Sequence, residues 1–342
     1  MNMRALVYHS PTELRIEDVQ RPAVGDSDVL IRVQYCGICG TDIHIYNGEG
    51  GSYEVTPPLI MGHEFSGIVE QVGKNVQSIG VGDQVTVNPN DMCGHCHYCQ
   101  NAAEQFCEHA IGYGTTRDGG FAQYCVVSEK QVFKFNNDID LLTASMAEPL
   151  SCCIHGIDLC HVQVGDDVLI IGGGPIGLIM LQLARMAGAN RVVLSEPISE
   201  KRELAKQLGA SATIDPLADD VEAQLQQHCP YPSVVIECVG NVRTIQNAID
   251  WAGKGATVMM YGLTGPDAEI AVRPDIIFKK EIKLTSSFIN PYTFERAVRI
   301  LDAGTLRLRE LISDVIPLKN AVDAFSNQEY RRKGKVVIQL ND

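Results

Sequence analysis

The sequence lacks any long apolar run. No segment approaches the roughly 18 consecutive apolar residues that a membrane-spanning helix needs. The N-terminal segment, MNMRALVYHS, also lacks the apolar core of a secretory signal peptide. We therefore expect a cytoplasmic protein with no membrane partner.

The sequence also lacks an excess of positive charge. It has 28 Lys and Arg residues against 42 Asp and Glu residues, so its formal net charge is −14. Nucleic-acid binding depends on clustered Lys and Arg side chains that neutralise phosphates. The acidic balance therefore argues against a nucleic-acid partner.

Repeats and low-complexity tracts are absent as well, and 342 residues are too many for one small core. Two patterns divide the chain. Residues 1–150 contain short β-type segments punctuated by Gly and Pro, whereas residues 151–285 alternate strand with helix. This alternation predicts an α/β fold with a doubly wound parallel sheet. Residues 286–342 leave the alternation and are expected to return to the first domain.

The most specific motif is a glycine cluster that follows a buried-type strand, Val168–Ile171. Gly172 allows a tight turn, Gly174 lets the backbone approach a pyrophosphate, and Gly177 lets the next helix pack closely. An ordinary glycine-rich turn is the alternative, but a helical pattern and a second strand follow. The predicted dinucleotide contacts are Gly172, Gly174, Pro175, Ile176 and Gly177.

An acid at the end of the second strand bears on the choice of dinucleotide. Glu196 follows Gly177 by 19 positions. A carboxylate there accepts hydrogen bonds from the adenosine ribose hydroxyls and repels a 2′-phosphate, which favours NAD over NADP. Arg202 lies close enough to be a further cofactor contact, although it also fits the exposed face of the next helix.

Four cysteines within 15 residues form a second motif, C-x2-C-x2-C-x7-C. Cysteines of a cytoplasmic protein are expected to be free thiols or metal ligands. Four thiolates can close a tetrahedron around a structural zinc, and an iron–sulfur cluster is the rival interpretation. The predicted structural zinc ligands are Cys93, Cys96, Cys99 and Cys107.

Three further segments contain metal-ligand residue types: Cys36–His44, Met61–Phe65 and Met146–Leu150. Together with the glycine cluster, the four cysteines and the Asp-Gly-Gly-Phe-Ala segment at 118–122, they give the chain a family pattern. Over essentially its whole length the sequence resembles the medium-chain, zinc-dependent alcohol dehydrogenases. The resemblance implies a GroES-like β-rich catalytic domain, a Rossmann NAD-binding domain, two zincs per subunit and a homodimer or homotetramer.

The resemblance also implies a catalytic zinc. Cys39 and His63 match its ligands, and Glu64 matches a ligand or close acid that exchanges with water. Glu148 stands where the liver-type enzymes have a cysteine, as it does in the sorbitol dehydrogenase branch. Thr41 and His44 match a proton relay, in which histidine is the final acceptor near neutral pH.

The implied reaction moves a hydride from a secondary alcohol of a polyol to NAD and gives a ketose. L-Threonine, butanediol and polyol phosphates are alternative substrates. Pocket candidates are Tyr46, Tyr113, Phe288 and Asn290. Two rival classes remain: a zinc-free reductase of the quinone type, which the Cys39, His63 and Glu148 set disfavours, and a non-catalytic NADH-binding sensor.

Overall fold

The computed structural model describes residues 1–341 of the chain. The chain forms two compact units. The first comprises Met1–Ser151 and the stretch from Ile289 onward, and the second comprises Cys152–Phe288. Each unit has its own hydrophobic core.

The first unit is built mainly of strands. They are β1 (Asn2–Ser10), β2 (Glu13–Gln20), β3 (Asp28–Gly37), β4 (Leu59–Ile60), β5 (Glu64–Val72), β6 (Gln84–Val87), β7 (Asn90–Asp91), β8 (Ile111–Gly112), β9 (Tyr124–Ser128), β10 (Val132–Lys134), β17 (Ile312–Pro317) and β18 (Lys335–Gln339). The largest sheet has seven strands in the order β10-β6-β5-β3-β18-β17, with β9 also paired to β3. The C-terminal strand β18 therefore lies beside β3, near the start of the chain.

Short helices fill the connections of this unit. They are α1 (Gly40–Asn47), α2 (His97–Gln100), α3 (Leu141–Ala144), α10 (Phe294–Asp302), α11 (Ala321–Ser326) and α12 (Gln328–Lys333). Helix α1 begins directly after β3, and Cys39 is its N-cap residue. Its first turn is stabilised because the Asp42 carboxylate accepts a hydrogen bond from the Cys39 backbone N–H at 2.8 Å.

The second unit contains the predicted doubly wound sheet. Its strands are β11 (Asp167–Ile171), β12 (Arg191–Ser195), β13 (Ala212–Ile214), β14 (Val234–Glu237), β15 (Thr257–Met260) and β16 (Lys283–Ser286). All six are parallel, in the order β13-β12-β11-β14-β15-β16. The strand order reverses between β11 and β14, and ligands of such sheets bind outside the strand ends at this point.

Helices join the strands of this sheet. They are α5 (Pro175–Met186), α6 (Ser199–Gln207), α7 (Val221–His228), α8 (Val242–Trp251) and α9 (Pro274–Lys280). Central strands such as β11 are buried on both faces, which explains why their sequences are continuous apolar runs without alternation.

Two elements of the structure were not predicted from the sequence. Helix α4 (Ala147–Cys160) crosses the predicted domain boundary at residue 150. Strand β16 follows β15 as the sixth strand of the parallel sheet. Within residues 1–341, no helix combines the length and apolar content needed to cross a membrane.

The core of the second unit gives a stability prediction. Leu169 on β11 is completely buried. Leu169→Ala should lower the free energy of unfolding by about 2–5 kcal/mol, because it removes buried methyl groups and leaves a cavity. The control Leu217→Ala, at a side chain that is 70% exposed, should change it by less than about 0.5 kcal/mol. Urea denaturation measures both, and equal losses would contradict the predicted core.

Candidate metal centres and dinucleotide site

Three metal-ligand side chains converge in the first unit. Cys39 precedes α1, His63 precedes β5, and Glu64 is the first residue of β5. One donor atom from each lies within 4.8 Å of the other two. His63 and Glu64 are buried, and Cys39 is half-buried. A thiolate, an imidazole and a carboxylate are ligands that zinc takes in proteins, so this donor set fits a zinc ion.

Asp42 supports this group from α1, a role that is not apparent from the sequence. Its side chain is fully buried. One carboxylate oxygen accepts from the Cys39 N–H, and the other lies 3.4 Å from His63 Nδ1. Asp42 therefore leaves Nε2 as the His63 nitrogen available to a metal. Such carboxylate–histidine pairs orient metal ligands in many proteins.

Glu64 is paired with a second residue that the sequence analysis missed. Its carboxylate contacts the ammonium of Lys335, the first residue of β18, and both side chains are buried. Gly37 lies between them on β3. A Cβ at Gly37 would stand 2.3 Å from Glu64 Oε2 and 2.8 Å from Lys335 Cε, so a larger residue there would displace the pair.

These neighbours change the acid–base behaviour of the site. Burial alone would lower the pKa of His63, but the charge and hydrogen bond of Asp42 raise it well above its ordinary value. Burial likewise opposes the charged form of Lys335, yet the negative charges of Glu64 and Cys39 raise its pKa. The negative charges of Asp42, Glu64 and Cys39 therefore favour positively charged neighbours at this site.

Glu148, the other predicted carboxylate ligand, lies in the first turn of α4. It is buried, and its backbone carbonyl accepts a hydrogen bond from the Ser151 hydroxyl at 2.6 Å. The three clustered donor atoms come from Cys39, His63 and Glu64. Glu148 as a further ligand of the same metal stays a prediction.

The four-cysteine lobe forms a second candidate centre. The sulfurs of Cys93, Cys96, Cys99 and Cys107 all lie within 4.8 Å of one another. Backbone N–H groups point at these sulfurs, among them that of Cys96 at 3.3 Å from the Cys93 Sγ. Hydrogen bonds from backbone groups of Cys99 and Glu108 lower the pKa of Cys96 to about 6, whereas burial raises that of Cys99 to about 12. Four convergent thiols fit a closed structural zinc site.

The predicted dinucleotide motif lies where β11 meets α5 in the second unit. Gly172 has a φ of +107°, which L side chains rarely adopt. A Cβ at Gly177 would stand 1.9 Å from the Gly172 carbonyl oxygen, whereas a Cβ at Gly174 would meet nothing within 4 Å. Pro175 and Ile176 begin α5. The helix N-terminus therefore opens beside Gly174, where backbone N–H groups can bind an anion.

Glu196 lies at the end of β12 and is hydrogen-bonded to this turn. Its carboxylate accepts from the Gly173 N–H at 2.7 Å and from the Ile198 N–H at 3.0 Å. Arg202, the further cofactor candidate, donates to the carbonyls of Glu196 and Pro197 and lies 3.2 Å from Asp215. The guanidinium is therefore already engaged by protein oxygens.

The relay candidates share one helix. Thr41 and His44 lie three residues apart on α1, so both can project from the same side of that helix. His44 Nδ1 contacts the Glu49 carboxylate. The role of Thr41 and His44 in proton transfer stays a prediction.

The four residues predicted to line a substrate pocket differ in burial and contacts. Tyr113 is buried and its hydroxyl accepts a hydrogen bond from the Ser128 N–H. The ring of Tyr46 packs against Phe325 at 5.6 Å. Asn290 is buried, and its amide is bonded to Asn88, Asn90 and Ser151. Phe288 is 37% exposed. The assignment of these four residues to a substrate pocket stays a prediction.

Comparisons with known proteins fit these two units. Residues 25–137 match the family model of the alcohol dehydrogenase GroES-like domain, and residues 175–303 match that of the zinc-binding dehydrogenases. D-Arabinitol dehydrogenase 1 of Uromyces fabae is 33% identical over 99% of this chain and 97% of its own. An L-threonine 3-dehydrogenase of Caldanaerobacter subterraneus is 36% identical over 75% of each chain. A zinc-binding dehydrogenase of Sinorhizobium meliloti, solved with NADP bound, has a TM-score of 0.94 and 38% identity over 99% of each chain.

A parallel dinucleotide-type sheet joined to a β-rich unit with two clusters of metal-ligand side chains defines a metal-dependent dehydrogenase. The chain belongs to the zinc-binding alcohol dehydrogenase family. The predictions of this family, of its two-part fold and of a zinc-dependent, nicotinamide-dependent oxidoreductase are therefore confirmed.

The buried ion pair gives a prediction. Lys335→Met should lower the free energy of unfolding by about 3–5 kcal/mol, because it leaves the Glu64 carboxylate buried without its cation. Adding Glu64→Gln to Lys335→Met should recover much of this loss. Lys74→Met is the control, since the Lys74–Asp26 pair is exposed, and it should cost far less. Chemical denaturation of wild type, Lys335→Met, Glu64→Gln and the double variant measures the coupling, and strictly additive effects would contradict it.

Proposed function

We propose that this chain oxidises a secondary hydroxyl of a sugar alcohol to a ketone, with NAD as hydride acceptor and zinc as catalytic metal. The observation that carries the proposal is the buried convergence of Cys39, His63 and Glu64, supported by Asp42 and Lys335. The similarity to D-arabinitol dehydrogenase 1 along almost the whole chain supports a polyol as the substrate class.

The chain's own residues would hold the metal. Cys39 and His63 supply a thiolate and an imidazole, and Asp42 fixes the orientation of the His63 ring. Glu64 and the buried Glu148 are the two carboxylates proposed to complete the site. Zinc bound there supplies Lewis-acid chemistry, which lowers the pKa of a substrate hydroxyl. The proton released from the substrate hydroxyl would pass through Thr41 to His44, which is held in place by Glu49.

The second unit would hold NAD. The pyrophosphate would lie against the turn at Gly172–Gly177 and the N-terminus of α5. The ribose hydroxyls would donate to Glu196, which already accepts two backbone hydrogen bonds. A 2′-phosphate would be repelled by this carboxylate, and Arg202 is held by other oxygens. We therefore propose NAD as the preferred cofactor and a cytoplasmic location, where the chain's 12 cysteines would stay reduced.

The experiment that tests this function follows NADH formation at 340 nm with zinc-loaded protein. Candidate substrates are sorbitol, xylitol, galactitol, D- and L-arabinitol, 2,3-butanediol, L-threonine and polyol phosphates, each with NAD and with NADP. We expect turnover of an unphosphorylated polyol, with NAD favoured. Turnover of L-threonine alone, the substrate named for a 36% identical relative, would contradict the polyol assignment. Cys39→Ser should abolish turnover, and retention of activity would favour a zinc-free reductase.

A homo-oligomer is proposed through the open edge of the parallel sheet. The edge strand β16 has Lys283, Leu284 and Ser286 exposed, so both of its faces are uncovered. Phe278 in the preceding helix is 85% exposed. Uncovered strand edges and apolar side chains of this kind favour pairing with another chain.

Light scattering tests the oligomer. For a chain of 37.4 kDa, we expect a mass of at least twice that value. Leu284→Lys should shift the protein towards the monomer because it places charge at the proposed contact, whereas Leu217→Lys, on another exposed segment, should not. A monomeric wild-type protein would refute the proposal.

A further inference from the structure

Glu237, the last residue of β14, carries a completely buried carboxylate. Three donors converge on its Oε1 atom: the N–H of Val239 at 2.8 Å, the N–H of Gly240 at 2.9 Å and the hydroxyl of Thr244 at 2.8 Å. Buried acids are rarely retained unless such donors satisfy them. The carboxylate therefore fixes the loop between β14 and α8.

The backbone of the same residue fixes a second loop. The carbonyl oxygen of Glu237 accepts from the N–H groups of Tyr261 and Gly262, both at 2.9 Å. A Cβ at Gly262 would stand 2.1 Å from the Gly240 nitrogen, so the loops after β14 and β15 touch. Glu237 thus joins the two loops through its side chain and its backbone.

These loops lie at the point where the strand order reverses. A Cβ at Gly172 would stand 2.8 Å from Val239 Cγ2, so the loop after β14 packs against the glycine turn after β11. Val239 is nevertheless 48% exposed. Dinucleotides bind across this crevice, with one mononucleotide on each half of the sheet. Glu196 and the glycine turn belong to the half of the sheet with β11–β13. The loops held by Glu237 belong to the half with β14–β16, where the other mononucleotide would bind.

We propose that Glu237 is a positioning residue for the nicotinamide mononucleotide half of NAD(H), acting through the loops at 238–241 and 261–263. The inference rests on the proposed NAD site. Glu237 does not touch the cofactor in this account; it holds Val239 and Gly240 in the conformation that forms the crevice wall. The requirement is for an acceptor oxygen rather than a charge, because Oε1 receives all three short hydrogen bonds.

The experiment compares two ligands in zinc-loaded protein. NADH binding is followed by its fluorescence, and 5′-AMP, which lacks the nicotinamide half, by calorimetry. Glu237→Ala should raise the Kd for NADH about tenfold or more, because three buried donors lose their acceptor, while the Kd for 5′-AMP stays within about twofold. Glu237→Gln, which retains an acceptor oxygen, should stay within about threefold of wild type for NADH. The exposed Glu222→Ala is the matched control.

Unchanged NADH affinity in Glu237→Ala would overturn the inference, and so would equal losses of NADH and 5′-AMP affinity, which would indicate general damage. If Glu237→Ala does not fold, Thr244→Val decides the matter, since it removes one of the three donors. It should raise the Kd for NADH without changing that for 5′-AMP, and no change would overturn the inference. Failure of the wild-type protein to bind NADH would instead refute the proposed function, and this inference with it.

Discussion

The buried ion pair between Glu64 and Lys335 is the contact on which the candidate catalytic site depends. It joins β5, near the start of the chain, to the C-terminal strand β18, and both strands flank β3. A carboxylate in the interior is costly without a partner, so the position of Glu64 depends on β18 being in place. Gly37 makes the contact possible because any side chain at that point of β3 would occupy its space. The candidate metal site of the first unit is therefore complete only when the C-terminal strand β18 has paired with β3.

Asp42 extends the same arrangement of charges to the other ligands. It caps the first turn of α1 through the Cys39 N–H and faces His63 Nδ1. A thiol, an imidazole and two carboxylates share this small space with the Lys335 ammonium. Cys39, His63 and Glu64 are residue types that zinc takes as ligands, and their donor atoms lie within 4.8 Å of one another, which is why the donor set fits zinc. The ligand geometry and its electrostatic support thus arise from the same few residues.

The local motifs were predictable from the sequence because their geometry is set by short spacing. The glycine turn and the four-cysteine lobe depend on residues a few positions apart, and the parallel sheet follows from the alternation of strand and helix. Helix α4 was missed because its polar and glycine residues hide a helical pattern that crosses the expected domain boundary. Strand β16 was missed because three of its four residues are exposed and the strand shows no apolar alternation.

The supporting residues were not predictable, since their roles come from contacts far along the chain. In the sequence Lys335 is an ordinary lysine at the start of a strand, and only the pairing of β18 with β3 brings it to Glu64. Asp42 left a local signal, an acid three residues after an N-cap position, but its contact with His63 is long-range. The polar atoms of Tyr113 and Asn290 are hydrogen-bonded inside the fold, to partners that the sequence alone does not show.

The most direct test of this account is the zinc content of the purified protein, measured by elemental analysis in wild type and in Cys39→Ser. The four-cysteine lobe and the Cys39 site should together bind two zinc ions per chain in the wild type. Cys39→Ser should retain one, because the lobe does not involve Cys39. Two ions in the variant, or a single ion in the wild type, would contradict the assignment of a separate catalytic metal site at Cys39 and His63.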